Sequence, residues 1–182
     1  MIIGLCGRAG AGKSSVAKYL AENYGFAVAA FALSLKNMAM DIWGFSPDQV
    51  FGKADVKEAI DPRWGISPRD AMKVLGQAAR DHLWDSVWID ALVKQLPDRV
   101  VIEDVRYQNE AALIQHELDG IVIRLVCTDS ISTDDGTHPS EKEVSLIEPD
   151  VEIVGSRAAG LPALFEQVDS YLRVIGAPRS PV

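Results

Sequence analysis

The sequence predicts an α/β fold, a five-stranded parallel sheet flanked by helices. Short apolar segments rich in β-branched residues alternate with segments of helical periodicity. A glycine-rich loop joins the first apolar segment to the first helical segment. Of the 182 residues, 48% are apolar. Such alternation is typical of parallel strands joined by crossover helices, and the length suits one domain with a full core. We therefore expect a single domain over residues 1–175.

The strands are predicted from short apolar runs with β-branched side chains. Ile2–Cys6 is the first of these runs and leads directly into the glycine-rich loop. The third begins at Arg99 and runs through three apolar residues into Glu103 and Asp104. The strands expected along the chain are 2–6, 26–32, 99–104, 121–127 and 151–154.

The helices are predicted from apolar periodicity and from signals at their ends. Gly25 is a typical carboxyl-terminal cap for the first helix. Ser67 followed by Pro68 is a typical helix start, Asp85 is a candidate cap for the next helix, and Pro97 ends that one. The helices expected are 13–24, 34–43, 67 to about 83, 85–96, 110–118 and 161–175.

Two insertions and a tail interrupt this alternation. Residues 44–97 are polar, punctuated and predicted to be helical, and 128–143 form a polar loop whose length indicates function or mobility. The residues from Gly176 to Val182 are predicted to be a short disordered tail.

The composition excludes several function classes. The chain has 18 Lys and Arg against 26 Asp and Glu, a formal charge of -8, which disfavours a nucleic-acid polymer or a membrane surface as partner. No apolar stretch approaches the roughly 20 residues that span a bilayer. Cys6 and Cys127 each lie in an apolar run, which fits buried, reduced thiols in a cytoplasmic protein.

The segment from Gly7 to Ser14 carries the strongest chemical signal. It matches G-x-x-x-x-G-K-[ST] at every fixed position, after a predicted strand and opening a predicted helix. Backbone N–H groups of such a loop surround phosphate oxygens, the lysine reaches the β- and γ-phosphates, and the hydroxyl binds Mg²⁺. We expect ATP and Mg²⁺ here. The predicted nucleotide-binding residues are Gly7, Arg8, Ala9, Gly10, Ala11, Gly12, Lys13, Ser14, Ser15 and Arg157.

The end of the third strand supplies a candidate partner for the metal ion. A carboxylate at this edge of the sheet can hold Mg²⁺, usually through water. We prefer Asp104 over Glu103, although strand parity leaves both open and either acid can merely cap the following helix. The predicted metal ligands are therefore Ser14 and Asp104, and the predicted catalytic residues are Lys13, Asp104 and Arg106.

Several basic residues are candidates for binding a second phosphate. Arg69, Lys73 and Arg80 fall in a row on one predicted helix, where they suit an acceptor phosphate or, equally, a solvated face. Arg106 lies just past the third strand, where ligands of open α/β sheets bind. Arg157 is placed either to stack on a nucleotide base or to cap the last helix. For His138, a structural hydrogen bond is favoured over a general base, because an ionised phosphate acceptor needs none.

The chain resembles the bacteriophage-type deoxynucleoside monophosphate kinases, within the P-loop nucleoside monophosphate kinase group, from Ile3 to about Leu164. The most discriminating segment is Asp-Val-Arg-Tyr-Gln-Asn-Glu-Ala at 104–111. The other segments that carry the resemblance are the phosphate-binding loop, Phe31–Met38, Ser67–Arg69 with Leu75-Gly76, and His138–Glu141.

The resemblance implies a P-loop kinase with an acceptor-binding helical insertion at 44–97 and a lid at 128–143. ATP would bind at Gly7–Ser15, and Lys36, Arg69 and Arg106 would contact the monophosphate. The sequence departs from the family pattern at Lys73, where Gln is frequent, and at 76–78, where Gly-Thr-Glu is frequent. The acceptor-binding residues we expect are Lys36, Arg69, Lys73, Gln77, Arg80 and Arg106.

We therefore expect phosphoryl transfer from ATP to a deoxynucleoside 5′-monophosphate, in the cytoplasm of the cell or of a phage's host, by a monomer or homodimer. One alternative is a dephospho-coenzyme A kinase or another small-molecule P-loop kinase. For the former, the start at Ile2–Gly7 would serve equally well, but Phe31-Ala32-Leu33 departs from the expected Asp-Ala-Asp. The other alternative is a nucleotide-binding regulatory or assembly protein without a small-molecule acceptor.

Overall fold

The sheet of the protein has the predicted five parallel strands. A computed structural model describes residues 1–129 and 139–179, with only the backbone at 139–141. The strand order is β2-β3-β1-β4-β5, and every neighbouring pair is parallel. The strands are β1 (Ile2–Cys6), β2 (Ala27–Ala29), β3 (Val100–Val105), β4 (Ile121–Cys127) and β5 (Val151–Gly155).

The helices agree with the prediction in most of their positions. They are α1 (Lys13–Tyr24), α2 (Leu33–Trp43), α3 (Pro47–Phe51), α4 (Ala54–Glu58), α5 (Pro68–His82), α6 (Val87–Val93), α7 (Gln108–Ala112), α8 (Pro139–Leu146) and α9 (Gly160–Val174). A π-helical turn, Leu113–Glu117, continues α7. The expected start of α5 is confirmed, because the Ser67 hydroxyl accepts the backbone N–H of Asp70 at 3.1 Å. Asp85 was wrongly expected to cap α6, which begins at Val87.

The chain divides into two compact units, and their boundaries differ from those of the predicted insertion at 44–97. The first comprises Met1–Ala30 and Leu96–Val182, and the second comprises Phe31–Gln95. The second unit thus begins earlier than the expected residue 44, because α2 packs against α3, α5 and α6 of that unit.

The first unit contains the sheet, with apolar helices on both faces. On one face, Ile3 and Leu5 of β1 pack in a cluster that also holds Leu20 of α1 and Leu172 of α9. On the other face, Gly4 lies so close to Ile114 that an added Cβ would come within 2.7 Å of its Cδ1. The alternation of β1 side chains therefore places α1 and α9 on one face and the π-helical turn on the other.

The second unit is helical and has its own small core, built on Ala39, Phe45, Val50 and Ala71. Nearby, Asp61 is buried and accepts hydrogen bonds from Gln49 Nε2 at 2.8 Å and from Arg63 Nε at 2.9 Å. The Arg63 side chain, followed by Gln49, holds the pKa of Asp61 well below its usual range. These contacts fix the loop between α4 and α5.

The carboxyl-terminal residues that were expected to be disordered pack on the first unit as far as Arg179. Ala177 is buried in the core cluster, and Pro178 accepts a hydrogen bond from Arg99 Nη2 at 2.8 Å. Arg179 donates to the buried Asp169 carboxylate on α9. The tail prediction overlooked these partners because they come from distant parts of the chain, and residues 180–182 lie outside the described part.

Arg124, the charged residue of the apolar strand β4, directs its two terminal nitrogens to polar groups. Its Nη2 donates to the carbonyl oxygens of Val144 at 3.2 Å and of Ile147, and its Nη1 lies 3.9 Å from Glu152 Oε2. Both cysteines are free; Cys6 is buried as expected, whereas Cys127 is only half-buried. Across residues 1–129 and 139–179, no helix has the length and apolar character needed to cross a membrane.

Candidate active site

The glycine-rich loop between β1 and α1 has a backbone conformation that requires glycine at its first position. Gly7 has a φ of 135°, and a Cβ there would lie 2.3 Å from the carbonyl oxygen of Leu125 on β4. Gly12, with a φ of 93°, stands immediately before α1 and has no side chain to cap it. The first backbone N–H groups of α1 are therefore presented without a capping side chain, the arrangement that binds phosphate oxygens.

Lys13, the first residue of α1, folds back over this loop. Its Nζ donates to the carbonyl oxygens of Gly7 at 2.6 Å and of Arg8 at 2.9 Å. The ammonium group is thus held against the concave loop, and an entering phosphate can exchange these carbonyl contacts for charge-assisted ones. Ser14, next on the helix, has an exposed side chain.

The carboxyl end of β3 lies beside the start of this loop and carries an irregularity. Gly4 of β1 pairs with Ile102, whereas Cys6, two residues on, pairs with Val105. Two residues of β1 thus stand opposite three of β3, and the extra residue falls at Glu103 or Asp104. A bulge of this kind changes the direction of side chains and is common next to active sites, so strand parity does not assign either acid.

The oxygen donors at this edge fit a magnesium ion by their chemistry. Glu103 and Asp104 are half-buried at the end of β3, adjacent to the residue that precedes the loop, and Ser14 adds a hydroxyl. Mg²⁺ prefers such oxygen ligands and keeps several waters. Within the described ranges, no group of three or more His, Cys, Asp and Glu side chains is placed to hold a metal ion.

Arg106, just past β3, has its backbone fixed by Glu110. One oxygen of the buried Glu110 carboxylate accepts the backbone N–H of Arg106 at 2.7 Å and that of Tyr107 at 3.2 Å. The carboxylate thereby caps α7 and sets the direction in which the chain leaves the sheet. The prediction overlooked Glu110, although an acid in the first turn of a helix was a usable signal.

Arg157, predicted to bind the nucleotide, borders the phosphate-binding loop. Its Nη2 lies 3.4 Å from the position of a Cβ at Gly10. The Asp129 carboxylate holds the turn after β5 by accepting the backbone N–H of Arg157 at 2.7 Å and of Ala158 at 3.2 Å. The hydrogen bond from Arg157, together with those from Cys127 and Ala158, outweighs desolvation and lowers the pKa of Asp129.

A cavity of about 240 Å³ opens beside this turn. It is lined by the ends of β4 and β5 and by the start of α9, including Thr128, Gly155, Ser156 and Leu164. Leu164 also lies 3.0 Å from the position of a Cβ at Gly12. The cavity is therefore next to the phosphate-binding loop, on the side of α9.

The predicted acceptor-binding residues other than Arg106 lie in the second unit. Lys36 is half-buried on α2, with its Nζ 5.2 Å from the ring centroid of Phe51. Arg69 at the start of α5 has its Nε 3.2 Å from Glu58 Oε1. Lys73 is half-buried on α5, and the Gln77 side-chain amide donates to Asp81 at 2.9 Å.

Arg80 differs from the other members of its row. It is buried, and its Nη1 donates to the carbonyl oxygen of Asp85 at 2.7 Å. The interpretation of this row as a solvated face is therefore wrong at Arg80. Its guanidinium instead joins α5 to the turn before α6. His138 and most of the expected lid, 130–138, lie outside the described residues, whereas α8 occupies the end of that segment.

A glycine-rich strand-to-helix loop on a parallel sheet of order β2-β3-β1-β4-β5 defines the class of P-loop kinases. The chain is 35% identical over 176 residues to an Acanthamoeba polyphaga mimivirus protein described as a deoxynucleotide monophosphate kinase, covering 86% of this chain and 89% of that one. The chain belongs to this family of deoxynucleotide monophosphate kinases, and is accordingly a phosphotransferase that uses a nucleotide.

Other comparisons are weaker. A deoxynucleoside-5′-monophosphate kinase of Escherichia phage T5 is 28% identical over 88 residues, 43% of this chain and 35% of that protein. Shikimate kinase from Aquifex aeolicus has a TM-score of 0.43 at 16% identity, over 98% of this chain and 100% of that one, a similarity too low to carry weight. No protein-family model matches the chain.

Proposed function

We propose that this protein transfers the γ-phosphoryl group of ATP to a deoxynucleoside 5′-monophosphate, giving the diphosphate. The observation that carries the proposal is the phosphate-binding loop, intact in sequence and geometry, in a chain that aligns over most of its length with a kinase described as acting on deoxynucleotide monophosphates. The net charge of -8 supports a mononucleotide rather than a nucleic-acid polymer as substrate. A monomer or homodimer in the host cytoplasm is part of the proposal.

The donor nucleotide binds at the loop from Gly7 to Ser15. Lys13 exchanges its carbonyl partners for the β- and γ-phosphates, while backbone N–H groups of the loop and of α1 bind the remaining oxygens. Arg157, beside Gly10, contacts the nucleotide from the turn after β5. The cavity next to this turn has room for part of the donor outside the phosphates.

Ser14 and Asp104 would hold Mg²⁺, with Glu103 as the other acid at the bulge. When bound, the ion neutralises charge on the transferring phosphoryl group. The support for this assignment is the oxygen-only donor set and the pairing of Cys6 with Val105, which brings the end of β3 next to the loop.

The acceptor monophosphate is bound in the second unit by Lys36 and Arg69, with Lys73 and Gln77 farther along α5. Catalysis by such a set is mostly positioning and charge stabilisation, because the acceptor phosphate is already ionised. Arg106 is the residue proposed to stabilise the charge of the transition state, and Glu110 fixes the backbone from which its side chain projects. The contacts of Arg80 support a structural role for it.

The direct test is an ADP-release assay with ATP, Mg²⁺ and a panel of the four deoxynucleoside monophosphates, the ribonucleotides and dephospho-coenzyme A. We expect turnover with at least one deoxynucleotide and its loss in Lys13→Ala, with folding unchanged. Lys18→Ala is the matched control, because Lys18 lies on the same helix with a side chain 76% exposed. Turnover retained by Lys13→Ala, or confined to dephospho-coenzyme A, would refute the proposal.

A further inference from the structure

The short helix α4 directs one cationic side chain inwards. Along Ala54–Glu58, Lys57 is half-buried while its four neighbours on the helix are exposed. Lysine is rarely buried without an anionic partner, because removing its ammonium group from water is costly. An inward lysine on an otherwise solvated helix therefore needs a physical reason.

Two further cations of the second unit act electrostatically on Lys57. Burial lowers the pKa of Lys57, and the positive charges of Arg69 and then Lys36 lower it further, against the opposing effect of Glu58. Arg69 and Lys36 belong to α5 and α2, so three helices contribute one cation each. Like charges brought together in this way destabilise the free protein and favour an anion between them.

The counter-charge within this cluster is incomplete. Glu58, next to Lys57 in sequence, lies 3.2 Å from Arg69 Nε. The geometry is nevertheless not that of a hydrogen bond, and the buried Nε of Arg69 has no hydrogen-bond acceptor among the described residues. Against three cations, Glu58 supplies one negative charge, and its side chain is 55% exposed. The arrangement suits a dianionic phosphate that would displace a carboxylate free to move outwards.

We propose that Lys57 is a third cation of the acceptor-phosphate site, with Lys36 and Arg69. In the free protein Glu58 occupies the place of the phosphate, and it moves away from Arg69 when the phosphate binds. This inference rests on the proposed function, to which it adds a residue outside the predicted set. The ring of Phe51, beside Lys36 Nζ, holds that ammonium in place through a cation–π contact.

The test is calorimetric binding of deoxynucleoside monophosphates, and of the same deoxynucleosides without phosphate, to three variants. Lys57→Met removes the charge but keeps most of the length of the side chain, and we expect its affinity for monophosphates to fall about tenfold or more, as for loss of a charge-assisted contact. Its affinity for the deoxynucleosides should not change. Lys53→Met, at the exposed start of the same helix, is the control and should bind like wild type.

Glu58→Gln should change binding in the opposite direction, with monophosphates bound several-fold more tightly because Arg69 loses its competing carboxylate. A lysine with only a structural role would not give this pair of opposite effects. Urea unfolding of each variant verifies that the fold is intact.

The outcomes separate this inference from the proposed function. If wild type phosphorylates deoxynucleotides and Lys57→Met binds them normally, the inference fails and the function stands. If wild type binds monophosphates in a manner dependent on Lys57 but transfers no phosphoryl group, the function fails and the phosphate site stands. Binding of no monophosphate by wild type would overturn both.

Discussion

The carboxylate of Glu110 accepts the backbone N–H of Arg106 at 2.7 Å, so a buried acid on α7 fixes the chain where it leaves β3. The same oxygen accepts the N–H of Tyr107. Arg106 is a proposed catalytic residue, and the backbone from which its side chain projects is therefore set by a residue that need not touch substrate. Glu110 is a positioning residue in this sense.

Replacing Glu110 with Ala should affect both stability and catalysis. Two backbone N–H groups would lose their acceptor beside a buried position, and we expect a loss of about 3 kcal/mol in the free energy of unfolding. Displacement of Arg106 should lower kcat/KM roughly tenfold or more. Urea unfolding and initial-rate kinetics measure the two effects.

Two further variants make the Glu110 result interpretable. Glu110→Gln keeps an acceptor oxygen without the charge, so it should fall between wild type and Glu110→Ala in both measurements. Glu117→Ala removes an exposed carboxylate from the π-helical turn that follows α7 and should leave both unchanged. Wild-type kinetics in a folded Glu110→Ala protein would contradict a positioning role.

Gly7→Ala should abolish nucleotide binding. The new methyl group would lie 2.3 Å from the Leu125 carbonyl oxygen, on a strand that is paired with β1. Neither backbone can move without breaking that pairing, so the loop must distort. We expect a loss of about 2 kcal/mol or more in unfolding free energy from strain and overpacking, and no measurable binding of a fluorescent ATP analogue.

Gly65→Ala controls for the backbone conformation alone. Gly65 also has a positive φ, of 69°, but a Cβ there meets no heavy atom within 4 Å. It should lose only about 1 kcal/mol of stability and bind the analogue normally. Equal effects of the two substitutions would show that the contact with Leu125 is unimportant.

The strand–loop–helix unit could be predicted from sequence because its signals are local. Apolar periodicity places β1 and α1, and the glycine and lysine spacing has one well-known geometry. The roles of Arg80 and Lys57 could not be predicted in the same way. Arg80 lies in a row of basic residues that looks solvated, yet it is buried against the Asp85 carbonyl. Lys57 lies in a polar segment whose inward face depends on how α4 meets its neighbours.

The acids at the end of β3 show a second limit of sequence reasoning. Side chains of a regular strand alternate between faces, so either Glu103 or Asp104 would be expected to face the loop. The register shift against β1 breaks that alternation at these residues. A bulge depends on how two paired strands align. The sequence of one strand does not show how many residues of its partner lie opposite it.

Asp169→Asn should destabilise the protein at neutral pH and progressively less in acid. Burial would raise the pKa of Asp169, but hydrogen bonds from the Tyr19 and Tyr24 hydroxyls, both at 2.8 Å, and the charge of Arg179 outweigh it and lower the pKa. A lowered pKa means that the folded state favours the carboxylate. Its contribution is therefore fully present above the ordinary value of about 4 and is lost as the pH falls below that value.

We expect Asp169→Asn to lose about 2 kcal/mol in unfolding free energy at pH 7, the scale of hydrogen bonds to a charged group. The difference from wild type should shrink as the pH falls below about 4, as wild type itself loses the carboxylate. Urea unfolding at pH 7, 5 and 3 measures this convergence, with Asp98→Asn as an exposed control on the same unit. A difference that stays constant down to pH 3 would mean that packing around Asp169, rather than its charge, stabilises the carboxyl-terminal residues.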